Sequence, residues 1–183
     1  MKLLFENWRE YMEANSLGVV TFDFDDTLTI TKPDDDWGVV EVGPNEEMID
    51  IMKEFIKKGS KVYIVTSRVR SRGAGVPFGP PEARRSTPEE YVEKYQLDIE
   101  AAPIYTNGEL KARTLDGLGS NLHFDDDPEE IRACDAIGIN THKVAVPYWE
   151  AVGINEQYSM FSKGLLSERQ FVKRVLRYLY KDD

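Results

Sequence analysis

The chain has 183 residues, 41% hydrophobic and 31% charged; this is the size and balance of one globular domain and excludes a disordered, collagen-like or coiled-coil chain. Lys plus Arg number 23 against 33 Asp plus Glu, a net charge of -10, so the molecule as a whole repels duplex DNA or an anionic membrane, and any nucleic-acid contact must be local. Cys134 is the only cysteine, which leaves no disulfide framework and no Cys-based zinc site. The N-terminus becomes charged too early for a signal peptide, and no apolar run approaches the ~20 residues that span a bilayer. The expectation is a single cytoplasmic domain over 1–183 without membrane contact.

Leu4, Phe5, Trp8, Tyr11 and Met12 recur at helical spacing and predict an amphipathic helix over 3–14. Gly18 to Phe22 is a short apolar, β-branched run without alternation, as expected of a strand covered on both faces in a parallel sheet. Residues 30–44 leave room for a small hairpin, a flap at about 28–45. Asn45, Ile49, Met52, Phe55, Ile56 and Gly59 mark a helix with an Asn cap and a Gly stop. Lys61 to Thr66 is a second buried strand. The segment at about 68–88 reads as a long loop with five arginines, Arg68, Arg70, Arg72, Arg84 and Arg85. Thr87-Pro88-Glu89-Glu90 opens a helix through about Tyr95. Ile104 to Thr106, Asn121 to Phe124 and Lys143 to Val146 are expected strands three to five, and a last helix is expected over about 167–180. Strands separated by helices predict an α/β fold with a mostly parallel five-stranded sheet.

In open parallel sheets ligands bind beyond the carboxyl ends of the strands. The first strand runs into Asp23-Phe24-Asp25-Asp26-Thr27, the second into Thr66-Ser67-Arg68, and the fourth into Asp125-Asp126-Asp127. Carboxylates converging on one sheet edge repel one another unless a hard cation neutralises them, and oxygen ligands with spare water sites suit Mg²⁺.

These residues resemble the haloacid dehalogenase superfamily. Val19 to Thr29 is similar to its first motif, an apolar strand followed by Asp-x-Asp-x-Thr, and Val62 to Thr66 to its second, an apolar strand ending in Thr or Ser. Lys111 takes the place of the third-motif lysine, with Lys94 and Arg113 as alternatives, and Leu122 to Asp126 resembles the fourth motif. Asp26 stands where many members have glycine. The resemblance implies a Rossmann-like fold without a large cap domain and a phosphatase rather than a dehalogenase, because Asp25 follows Asp23. It implies Asp23 as nucleophile, forming an aspartyl-phosphate, and Asp25 as general acid and base whose main-chain carbonyl ligates Mg²⁺. Thr66 and Lys111 would hold the phosphoryl oxygens, Asp125 would bind the metal, and Asp126 would bind it through water or position Lys111.

The absence of room for a large cap implies an open site, associated in this superfamily with bulky substrates. Arginine forks bind phosphate bidentately, so Ser67, Arg68, Arg70 and Arg72 are candidate substrate-binding residues; the alternative is a solvated loop that balances an acidic protein. Short patterns from Thr66 to Val146 also resemble the 3′-phosphatase domain of bacteriophage polynucleotide kinases. This implies nucleotide or polynucleotide 3′-end phosphate as substrate; other small phosphorylated metabolites, or a silent metal-binding interaction protein, are the competing readings. Asp34-Asp35-Asp36 reads as a solvated charge run, Asp127 as a helix cap before Pro128, Cys134 as a buried helix residue, and His123 and His142 as structural. Trp8, Trp37 and Trp149 read as core or rim residues.

Overall fold

The structure is a computed structural model that describes residues 18–34, 38–70, 85–146 and 148. Strands β1 (Val19–Phe22), β4 (Lys61–Thr66), β5 (Ile104–Tyr105), β6 (Ser120–Asp125) and β7 (Asn140–Lys143) form one sheet in the order β5-β4-β1-β6-β7, with every neighbouring pair parallel. Between β1 and the helix that follows at Glu46–Lys57, β2 (Thr29–Asp34) and β3 (Gly38–Pro44) pair antiparallel as a separate hairpin, in the place expected for the flap. Helices α1 (Glu46–Lys57), α2 (Pro88–Tyr95), α3 (Ala112–Leu118) and α4 (Pro128–Asp135) complete an α/β architecture compatible with a Rossmann-like fold. Among the described residues no helix is long and apolar enough to cross a membrane.

Side-chain alternation along the strands assigns the two sheet faces. Val20, Phe22, Val62, Ile64, Leu122 and Phe124 join Met48, Met52 and Phe55 of α1 and Tyr91 of α2 in one cluster, with Phe22 stacked on Phe124 at 4.4 Å between ring centroids. Val65 meets Leu115 of α3 and Cys134 of α4 in a second cluster. Central strands covered on both faces need apolar residues at successive positions, which is why β1 and β4 show no polar alternation.

The helix boundaries follow local chemistry. The Asn45 side chain caps α1, and Thr87 with Glu90 forms a reciprocal capping box on α2 behind Pro88 at its first turn. Asp127 caps α4. The expected strand at Lys143 to Val146 instead occupies Asn140–Lys143, and the buried Val144 and Val146 follow it. Among the described residues the ladder partner of this edge strand is Leu122 to Asp125, and an edge tolerates the polar run Asn-Thr-His-Lys that an interior strand would exclude. The helices expected over 3–14 and 167–180 lie outside the described residues, as do Arg72, Arg84, Asp35, Asp36, Trp8, Trp37 and Trp149.

Candidate functional site

The chain runs outward from β1 through β4 to β5 and then crosses to β6 and β7 on the other side, so the strand order reverses between β1 and β6. A crevice opens at such a switch point beyond the carboxyl ends of the strands. Asp23 directly follows β1, Asp125 ends β6 and Asp126 comes next. The Asp23 amide donates to the Phe124 carbonyl at 2.9 Å and so fixes the two strand ends together.

Oxygens of Asp23, Asp125 and Asp126 lie within 4.8 Å of one another, and all three residues are buried. Lys111, at the start of α3, brings its ammonium into the same place: Nζ is 2.7 Å from Asp23 Oδ1 and 2.6 Å from Asp125 Oδ2, with the side chain 1% exposed. Two further donors hold Asp125. The Asp127 amide reaches Oδ1 at 2.8 Å and His123 Nε2 stands 2.9 Å from Oδ2. Three carboxylates and one ammonium are thus buried together, and charges taken out of water need close partners of opposite charge. An all-oxygen, carboxylate-rich donor set of this kind fits a hard divalent cation. The Asp25 carboxylate is not one of the three clustered groups.

Asp25 belongs to a second arrangement. Arg68 donates from Nε to Asp25 Oδ2 and from NH2 to Oδ1, both at 2.7 Å, and from NH1 to the Ser86 carbonyl at 2.7 Å. Arg85 lies 3.6 Å from Asp25 Oδ1. Ser86 in turn donates through its amide at 2.6 Å and its hydroxyl at 2.8 Å to the Glu41 carboxylate on β3. The hairpin, the loop and the turn after β1 are therefore tied by one chain of charge-assisted bonds. Burial works against the Arg68 charge, yet the Asp25 carboxylate, with smaller contributions from Glu41 and Tyr105, outweighs it and the guanidinium pKa rises. The guanidinium also lies 4.7 Å from the Phe24 ring centroid.

The other expected residues are placed as follows. Thr66 is buried at the end of β4, where its hydroxyl accepts the Arg68 amide at 3.2 Å. Ser67 is half-buried beside it and its carbonyl accepts the Gly108 amide. Arg70 is exposed, with its guanidinium 5.6 Å from the Tyr105 ring centroid and its amide on Asn107. Lys111 is the cation at the cluster, whereas Lys94 and Arg113, its alternatives, are exposed. Asp26 adopts φ +60°, the left-handed region that favours glycine, and its carboxylate accepts the Thr31 amide at 3.0 Å and hydroxyl at 2.5 Å. Side-chain acceptance stabilises the same turn that a glycine would reach by backbone freedom.

Four participants escape the sequence reading. Glu41 and Ser86 carry no motif, and their meeting is a product of tertiary structure. Glu130 of α4 accepts the Lys111 amide at 2.8 Å, and burial raises its pKa. His123, read as structural, touches Asp125; its position two residues before the acidic pair was the available signal. Cys134 is buried as expected and its thiol pKa is pushed up to about 12 by that burial. Compared with known proteins, the chain matches no family model and no curated relative.

Proposed function

We propose that the chain is a Mg²⁺-dependent phosphomonoester hydrolase of the haloacid dehalogenase type. The observation that supports this most is the buried Lys111 ammonium between Asp23 and Asp125, beside Asp126, at the strand-order reversal. Phosphate monoesters resist attack because their oxygens are negative, so a carboxylate nucleophile needs cationic charge beside it. Lys111 supplies one such charge. Mg²⁺ on Asp23, Asp125 and Asp126, with the Asp25 main-chain carbonyl that the resemblance implies, would supply the rest by neutralising phosphoryl oxygens.

In this reading an Asp23 oxygen attacks phosphorus, the ester P–O bond breaks, and its electron pair leaves on the alcohol oxygen, which takes a proton from the Asp25 carboxyl. Asp25 then takes a proton from water as that water attacks the aspartyl-phosphate, and phosphate leaves with Asp23 restored. Asp25 can serve only when Arg68 releases one of its oxygens, and an incoming phosphate competes for that same fork. The Thr66 hydroxyl would hold a phosphoryl oxygen. The substrate class favoured by the resemblance is nucleotide or polynucleotide 3′-end phosphate; the net charge of -10 favours small nucleotides or ends over long duplex.

A panel of phosphate esters with Mg²⁺ tests the proposal, including 3′- and 5′-nucleotides, 3′-phosphorylated oligonucleotides and sugar phosphates. Release of phosphate that EDTA abolishes is the expected result. No release from any class at millimolar Mg²⁺ would remove the enzymatic reading and leave a metal-binding protein.

A further inference from the structure

Behind Asp125 lies a row of buried polar side chains on the α3 and α4 face of the sheet. Thr21 and His123 are register partners on β1 and β6, and His123 is fully buried. His123 Nδ1 is 2.9 Å from Thr21 Oγ1 and 3.2 Å from the Thr21 carbonyl, while Thr21 Oγ1 is 2.9 Å from Ser120 Oγ. By simple alternation Ser120 would share the face of Leu122, not that of His123. The register shifts between Val19 and Val20, where Val19 pairs with Ser120 but Val20 with Leu122. The extra residue, Asn121, reverses the alternation and brings Ser120 to Thr21. Asn121 itself accepts the Val19 amide at 2.9 Å, and a Cβ at Gly18 would collide with that Asn121 oxygen.

The protons can be assigned at the end that matters. Asp125 Oδ2 is held as an acceptor by the Lys111 ammonium at 2.6 Å, so the nitrogen facing it must donate. His123 Nε2 therefore carries a proton whichever form Nδ1 takes against Thr21. Three donors then fix one carboxylate: Lys111 and His123 on Oδ2 and the Asp127 amide on Oδ1. Lys111 is shared with Asp23, but His123 has no such second duty in the cluster.

We propose that His123 is a positioning residue that holds the Asp125 carboxylate in its metal-binding orientation, with Thr21 and Ser120 setting the imidazole plane. This rests on the reading of Asp23, Asp125 and Asp126 as a divalent metal site. Outer partners of metal ligands change metal affinity by about 10–100-fold when removed. An apolar residue would fill the His123 space without a donor, whereas glutamine can place an amide N–H near the position of Nε2.

The experiment is a Mn²⁺ titration of the full chain by calorimetry, with thermal melts in EDTA to record apo stability. Wild type is expected to bind, His123→Leu to bind about tenfold or more weakly, and His123→Gln to stay within about threefold of wild type. If His123→Leu does not fold, Thr21→Val and Thr21→Ser decide, the first weakening Mn²⁺ binding and the second restoring it. Equal affinity in wild type, His123→Leu and Thr21→Val overturns the proposal while leaving the metal site standing. Equal weakening by Leu and Gln also overturns it, by showing packing rather than donation. A wild-type chain that does not bind Mn²⁺ removes the metal reading and this inference together.

Discussion

Asp23 and Asp25 stand two residues apart on one turn, yet the fold gives them opposite settings. Asp23 is buried against the Lys111 ammonium, a compact charge shared with Asp125. Asp25 is about a fifth exposed and meets the planar Arg68 fork, which is anchored by Ser86 and, through it, by the hairpin residue Glu41. The buried group is fixed by the sheet, since β1 and β6 deliver both carboxylates. The rim group is fixed by side chains from three separate segments. A nucleophile must be in place before substrate arrives, whereas a proton carrier must change partners during the cycle. The two settings suit the two tasks that the proposed function would give these residues.

Four substitutions break or sharpen this contrast. Asp23→Asn should keep the fold and lower turnover of a good phosphate ester by ~1000-fold or more, about 4 kcal/mol of transition-state stabilisation, because an amide cannot form the acyl-phosphate; wild-type turnover would refute the covalent route. Lys111→Met should cost about 3–5 kcal/mol of stability, because it leaves Asp23 and Asp125 facing each other without a cation. The melting temperature of this variant should respond to Mg²⁺ more strongly than that of wild type, and the same response in both would show that the ammonium and the metal do not share a task. Arg68→Gln should cost only about 1–2 kcal/mol, since Asp25 retains solvent and Arg85; a loss as large as that of Lys111→Met would erase the distinction between rim and centre.

The smallest effect concerns Glu130, whose raised pKa means that the folded protein holds this proton more tightly than the unfolded chain. Its contribution to stability is present below the ordinary value of 4.5 and is lost as pH rises through the higher folded value. Glu130→Gln can still accept the Lys111 amide, so its melting temperature relative to wild type should climb by about 1–3 °C between pH 4.5 and pH 7. A constant difference across that range would show that Glu130 is not held protonated by burial.

Much of this was legible in the residues, for identifiable reasons. β1 and β4 are apolar runs that only a doubly covered strand explains, and α1 and α2 carry Asn45 and Thr87 as caps. The acids at the ends of β1 and β6 could be named as a set because a parallel sheet puts strand ends together. α3 could not be read: it has seven residues, no side-chain cap and no acid in its first turn. β7 was displaced because its strand is polar while the valines after it are buried. The Arg68 to Asp25 pair spans 43 positions and follows from the adjacency of β1 and β4, which no local pattern announces. Asp26 was legible only as a departure from glycine; its left-handed backbone supplies the reason.

The hairpin leaves and rejoins the body at nearly one point. The Leu28 carbonyl accepts both the Asn45 amide at 2.8 Å and the Tyr91 hydroxyl at 2.5 Å, so the stem is pinned before β2 begins and after β3 ends. The paired strands β2 and β3 therefore extend from a fixed stem. Lengthening a hairpin connection costs only about 0.6 kcal/mol per doubling of its length. A longer hairpin would leave β1 and β6 with their hold on Asp23 and Asp125. Under the proposed function, the contacts that choose a substrate and the carboxylates that act on it would be carried on separate stretches of chain, so that one could be exchanged without rebuilding the other.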